Sequence, residues 1–260
     1  MVVTAEGILE DPGEDEADRV GPAKDVHGVT SEDLLRALPE TTIIDLPLLL
    51  LTAISTIVAL VGLFLNNVAI IIGAMVVSPL LSPITGFILE LTVGRPIRAF
   101  AHLKTLLLLL LTIIVLSAVV TAVLFTQGPV VFTPQILARF ERRDVYLVMA
   151  VLLGFAAMIA EVKGFHESLV GIGIAASLLP PAAVAGIAFA LFQRSAFSAL
   201  ALALDNIIGV MIGGFLGVFF LKLGPGRKNL HFMARKKLFR TLGILFVLFV
   251  LLYLDLIFTG

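Results

Sequence analysis

The sequence predicts an all-α integral membrane protein of about seven transmembrane helices, two of them broken by proline, in an inverted 3+3 repeat with one peripheral helix added. Three observations carry this. The chain of 260 residues is 59% hydrophobic and 14% charged, with a mean hydropathy of +1.10, where a soluble domain carries about 25% charged residues. Its apolar residues come in runs long enough for the roughly 20 helical residues that cross about 30 Å of hydrocarbon, and do not alternate with a polar face as a soluble core helix would. Two of those runs contain matched Ser/Leu/Pro clusters near their middles.

Residues 1–42 read as an acidic cytoplasmic tail, and residues 43–260 as the transmembrane domain. Residues 1–40 hold eleven acids and three bases. Such a stretch, poor in aromatics and rich in Gly and Pro, predicts disorder. It lacks the basic-then-apolar pattern of a signal peptide. A short surface helix is expected at Ser31–Leu38, with Leu34, Leu35 and Leu38 on one side and Pro39 stopping it. The spans follow at about Leu46–Leu65, Val68–Val93, Thr105–Phe125, Tyr146–Ala160, Ser168–Phe192, Phe197–Leu221 and Leu238–Phe258.

Lys and Arg in the connections set orientation. Seven full crossings put 14 of them on the N-terminal side and 4 on the other, which predicts a plasma or inner-membrane protein with its N-terminus cytoplasmic and its C-terminus outside. If both proline-containing segments are re-entrant, the split is 13 to 5, and the orientation is unchanged. Segment length favours crossing, since about 26 residues span comfortably at about 1.5 Å each. Between the third and fourth spans, Thr133-Pro134 forms an N-cap and first helical position. The following QILARFERR predicts an amphipathic helix lying at the outer interface. The basic loop Arg227–Lys237 reads as topogenic charge that meets anionic lipid; membrane flanks explain it without nucleic acid.

The second span contains Ser78-Pro79-Leu80-Leu81-Ser82-Pro83 and the fifth contains Ser177-Leu178-Leu179-Pro180-Pro181. Proline inside a helix removes a donor and clashes with the carbonyl four residues back, here those of Met75 and Ala176. Unpaired backbone groups in hydrocarbon cost several kcal/mol each. Breaks persist where side chains or a wet cavity satisfy them, and Ser78, Ser82, Thr85 and Ser177 are the nearby candidates. Spans one to three (about 46–126) and four to six (about 144–222) each place the proline cluster in the middle, about 100 residues apart. Three spans per unit inverts the second unit, a plan that places the site near mid-membrane. The helix at about 238–258 is the addition.

Ionisable and amide groups inside spans are functional candidates. Asp205 and Asn206 lie in the sixth span. Asp205 shares a helix face with Gly209, Gly213 and Gly217, a small-residue stripe that suits close packing within or between subunits; association into a homo-oligomer is one expectation. Asn66 and Asn67 join the first two spans, either as a plain turn or, for Asn67, as part of the site. Glu90 ends the second span.

IIIGAMVVSPLLSPITG (Ile70–Gly86) and LVGIGIAASLLPPAAVAGIAFAL (Leu169–Leu191) resemble the hydrophobic membrane proteins grouped as domain of unknown function 389. TPQILAR (Thr133–Arg139), Asp144 and Asn206 are similar to the same family's weaker signatures. The resemblance covers roughly Leu46 to Leu221. It implies a multi-spanning membrane fold and a transport role without an assigned substrate.

The leading functional expectation is a transporter or channel for a small polar or ionic solute, bound by Ser78, Pro79, Ser82, Pro83, Thr85 and Asn67 in the first repeat. Ser177, Pro180, Pro181, Asp205 and Asn206 are the second repeat's share. Freed amides suit anions and freed carbonyls suit cations. An intramembrane enzyme lacks support: no Cys, no HExxH, no GxSxG and no paired carboxylates within a span. No cofactor or metal is expected. A sensor or scaffold acting through the cytoplasmic segments is the alternative.

Overall fold

The computed structural model describes residues 31–37, 45–141, 144–163, 167–191 and 194–223, with positions 243 and 247. The acidic stretch before residue 31, the basic loop 227–237 and the seventh predicted span lie outside the described residues, save those two positions in the span. Every element among the described residues is an α-helix. Five helices are long and apolar enough to cross a membrane, or six if one bent pair counts as a single span.

Helix α1 (Ser31–Ala37) buries Leu34 and packs on α4 (Leu81–Thr92). Helix α2 (Leu46–Phe64) starts where Asp45 accepts a hydrogen bond from the Leu48 amide at 3.0 Å, with Pro47 in the first turn, where a missing N–H is harmless. Its buried Thr52, Ser55 and Thr56 hydroxyls donate to carbonyls one turn back, so a polar stripe is carried with its donors satisfied. Asn66, at φ 52°, turns the chain. Asn67 then caps α3 (Val68–Val77), its Oδ1 accepting from the Ala69 and Ile70 amides.

Helix α3 ends at Ser78 and α4 begins at Leu81, with a bend of 49° between them. Helix α5 (Pro96–Gln127) is longer than the predicted span. Its 32 residues reach about 48 Å, because the first turns, with Arg98 and Lys104, continue the helix beyond hydrocarbon length. Helix α6 (Pro134–Leu137) has the expected Thr133 cap but is a single turn. The amphipathic helix expected over Gln135–Arg143 is thus cut short: Phe140 leaves the helix and stacks edge-on against Phe132.

Helices α7 (Asp144–Lys163), α8 (Glu167–Ala190) and α9 (Ala196–Phe220) complete the described bundle. Helix α8 is the central element, packed against α2, α3, α4, α5, α7 and α9. Helix α5 shows the outer surface: Leu107, Leu111, Val115 and Val119 recur every four residues and are all exposed, as a hydrocarbon solvent requires. Together these features make the chain a multi-pass membrane protein.

The α7–α9 pair packs backbone to backbone. A Cβ on Gly213 would fall on the Val151 carbonyl, and one on Gly154 would fall on the Val210 carbonyl. The glycine stripe of α9 is therefore used inside the chain. Gly209 meets Leu147 and Ala150, and Gly217 meets Met158, so the two helices run parallel.

The expectation of two broken helices meets one break. Helix α8 runs through Pro180 and Pro181 without interruption, so the second predicted break is corrected to a continuous helix. The physical reason lies in its neighbour. Pro181 withholds the N–H that would bond the Ser177 carbonyl, and Asn206 Nδ2 on α9 donates to that carbonyl at 2.7 Å instead.

Candidate functional site

Three chain segments carry the proline clusters and the buried amide. Ser78 lies ten residues after the start of α3, Pro180 ten before the end of α8, and Asn206 ten after the start of α9. Helix α8 packs on both α3 and α9: Asn206 reaches it at the Ser177 carbonyl, and the start of α4 reaches it at Gly171, where an added Cβ would lie 3.7 Å from that of Leu81.

The local chemistry of the break follows from its sequence. A residue before proline is driven to extended backbone, and Ser78 has ψ 123°. The Ser78 amide turns back to the Met75 carbonyl at 3.3 Å, closing α3 where Pro79 offers no donor. Pro83 sits in the first turn of α4, where its missing N–H has no partner to lose. Thr85 is buried, and its hydroxyl donates within its own helix to the Leu81 and Ser82 carbonyls. Ser177 likewise donates to the Ile174 carbonyl at 2.8 Å. The Thr85 and Ser177 hydroxyls are thus already engaged, each within its own helix.

Two oxygens are different. Ser78, 8% exposed, and Asn206, 4% exposed, each bury an oxygen, Oγ and Oδ1, that meets no hydrogen-bond partner. In a medium without water such groups are costly, and they are the reactive content of the site. Asp205 is buried as well but belongs to another face. It falls one turn before Gly209 and so level with the first turn of α7, whose positive dipole end favours a carboxylate. Asn67 is exposed and caps the start of α3, about 15 Å from Ser78. The structure joins Asn206 to Ser177, three residues before Pro180, and places Ser78 and Pro79 at the α3–α4 break; Asp205 lies one turn before Gly209 of the α7 seam, and Asn67 caps the start of α3. Ser82, Pro83 and Thr85 form the first turns of α4.

Other polar groups occupy the two ends. Glu90 is buried at the end of α4 and faces Arg95 and Arg98, each at 3.9 Å. The ring of buried His102 lies where a Cβ on Gly86 would be. At the opposite end, Thr133 Oγ1 donates to the Leu63 carbonyl at 2.6 Å and Asn66 Oδ1 accepts from the Gln135 amide, tying the α5–α7 connection over the α2–α3 turn. Arg139 lies 6.0 Å from the Tyr146 ring centre, and burial lowers its pKa from the usual value. Sequence reasoning missed Ser117 and Thr121, buried hydroxyls of α5 without partners, one of them against Gly186 of α8. Their four-residue spacing within an apolar run was the signal available.

Residues 75–212, just over half of the chain, match the family described as domain of unknown function, DUF389. The chain belongs to that family. The DUF389 match begins at Met75, whose carbonyl closes α3, and ends beyond Asn206, so it encloses the whole mid-depth site. An uncharacterised protein of Methanocaldococcus jannaschii is 30% identical over 212 residues, covering 81% of this chain and 65% of that protein. This DUF389 chain therefore spans slightly less than two thirds of that relative's length. No solved structure matches it.

Proposed function

We propose that this protein is a non-catalytic membrane transporter or channel for a small polar or ionic solute, bound at mid-depth between the α3–α4 break, the proline-containing stretch of α8, and Asn206. One observation carries the reading: two buried oxygens without partners, Ser78 Oγ where α3 stops and Asn206 Oδ1 beside the proline-containing stretch of α8. A bundle that only needed to be stable would fill those positions with apolar side chains. Irregular backbone at membrane depth belongs where protein or a polar passage surrounds it.

The reading extends to topology. Helices α2, α3–α4 and α5 form one three-span unit and α7, α8 and α9 the other, with the proline-containing span central in each. An inverted pair of this kind supports alternating access around a fixed site. The N-terminus is cytoplasmic in this scheme, as the charge asymmetry of the connections favours.

Flux into proteoliposomes tests it. Purified full-length protein is expected to pass at least one small ion or polar solute above empty-liposome background. The Pro79→Ala/Pro83→Ala double variant, which restores two backbone donors at the break, is expected to lower that flux at least about tenfold. No flux for any of a broad panel of anions, cations and neutral polar solutes overturns the proposal.

A further inference from the structure

We infer that the first turns of α5 form a binding site for an anionic phospholipid, with an acyl chain on the exposed apolar stripe of the helix and the phosphate at Lys104 and Arg98. The inference stands apart from the transport reading, because it needs only that the chain resides in a membrane.

The argument starts from length. Helix α5 has 32 residues, about 48 Å of helix against about 30 Å of hydrocarbon. Residues 105–127 carry no charged side chain, so the excess falls at the start of the helix, where Arg98 and Lys104 stand. With Thr105 at the edge of the hydrocarbon, Lys104 is the first residue outside it. At the helical rise, Phe100 then lies about 6 Å and Arg98 about 9 Å beyond Lys104. That zone is the headgroup layer and its outer edge.

The surface there has one composition along one line. Ile97, Phe100, Lys104, Leu107 and Leu111 recur at alternating steps of three and four, so they share a helix face. All five are exposed, Ile97 at 87% and Phe100 at 62%, so no other element among the described residues covers them. The face is apolar within hydrocarbon, cationic at its edge, and apolar again at headgroup level. An acyl chain fits the run from Leu107 through Leu111, while Phe100 suits the layer where aromatic rings anchor.

Charge selects among lipids. Within α4, α5 and the turn between them, Arg95, Arg98 and Lys104 are set against a single acid, Glu90, which is buried. The Arg98 side chain is 67% exposed, and its pair with Glu90 is 3.9 Å long, beyond the roughly 3.2 Å limit of an N–H···O bond. Its planar fork therefore keeps donors for a phosphodiester. A neutral lipid would satisfy the apolar face alone; a negative one satisfies the cations as well. The far end of the same face supplies an internal contrast. Val119 is exposed too, but no cation stands near it on α5.

The chain contains no tryptophan, so one placed on this face reports on that place alone. Full-length Phe100→Trp and Val119→Trp are each reconstituted in phosphatidylcholine nanodiscs holding a minor fraction of brominated lipid, either phosphatidylglycerol or phosphatidylcholine. Bromine quenches tryptophan fluorescence only at short range. At position 100, phosphatidylglycerol is expected to quench with an apparent affinity at least about threefold above that of phosphatidylcholine; at position 119 the two lipids are expected to quench alike. Adding Lys104→Gln and Arg98→Gln is expected to remove the excess and leave quenching by phosphatidylcholine unchanged. Lys104→Gln alone, which leaves the Glu90 pair intact, is expected to remove about half of the excess or more. Ile97→Trp replaces Phe100→Trp if the latter does not fold. The inference is overturned by equal quenching at position 100, or by an equal excess at position 119, which would be bulk surface charge. It is also overturned by an excess that survives the double substitution, or by one that low-millimolar glycerol 3-phosphate abolishes, which would assign the cations to a soluble phosphate.

Discussion

The two proline clusters of this chain look alike in sequence and behave differently in the fold. Ser78-Pro79-Leu80 ends one helix and a second begins at Leu81 with a 49° bend, whereas Pro180-Pro181 sits inside an unbroken helix. Spacing and surroundings explain the difference. Pro79 and Pro83 are four apart, so the ring of Pro83 would press on the carbonyl of Pro79 in a continuous helix. Starting a new helix at Leu81 places Pro83 in a first turn, where it fits. Adjacent Pro180 and Pro181 confine the damage to two neighbouring carbonyls, and a neighbouring helix repairs one of them. Packing does the rest: residues 178–188 of α8 are all buried, while α3 leaves Ile72, Val76 and Val77 exposed. A helix enclosed by six others has no free direction in which to bend. Proline therefore sets where a helix is weakened, and the surroundings set whether it breaks.

Five variants sharpen or break this comparison. The largest effect is expected from Gly213→Leu, which drives a side chain into the Val151 carbonyl and parts α7 from α9. A loss of about 3 kcal/mol or more, read as a fall in Tm or as failure to purify folded protein, is the expected result; near wild-type Tm would show that the seam is looser than its geometry. Asn206→Leu comes next. It strips the Ser177 carbonyl of its substitute donor and should cost about 1–3 kcal/mol, with hydrogen exchange rising in α8 around residues 177–181. If exchange there is unchanged, burial alone holds α8 straight.

Pro180→Ala and Pro79→Ala then form a matched pair. In the continuous helix, removing a proline should stabilise by about 1 kcal/mol or more. At the break the same change should give little or no gain, because the chain already avoids the clash. Equal gains at both positions would remove the distinction between the two regions. Asn67→Ala should be smallest, costing about 0.5–1 kcal/mol through loss of the α3 cap and leaving any solute effect at mid-depth unchanged. A solute effect in that variant would return Asn67 to the site.

Much of the fold was legible because it is local. The starts of α2, α6 and α9 fall within a residue or two of the apolar runs and caps that predict them, and Thr133-Pro134 caps a helix as its residue types require. The over-long reading of α6 came from treating a one-sided apolar pattern as sufficient; four residues of helix satisfy the cap, and Phe140 finds a ring partner instead. Ser78 and Pro79 were legible from the break they imply, whereas the break expected at Pro180-Pro181 does not form. The role of Asn206 was not legible, since it depends on a carbonyl 29 residues away in the chain. Asp205 and Asn206 are neighbours in sequence and were read together, but successive residues of a helix point about 100° apart. One faces α7 and the other α8.

By itself, the sequence determined membrane residence, the approximate position of the described spans, and the two points at which proline removes backbone donors. Run length, capping residues and proline are properties of contiguous residues, so no partner is needed to read them. Tertiary structure alone decided which proline cluster breaks its helix, which polar oxygens stay unmet, and that the glycine stripe of α9 closes on α7 within the same chain. Those outcomes turn on contacts between segments far apart in sequence. In a medium without water, only such contacts can replace the hydrogen bonds that proline withholds.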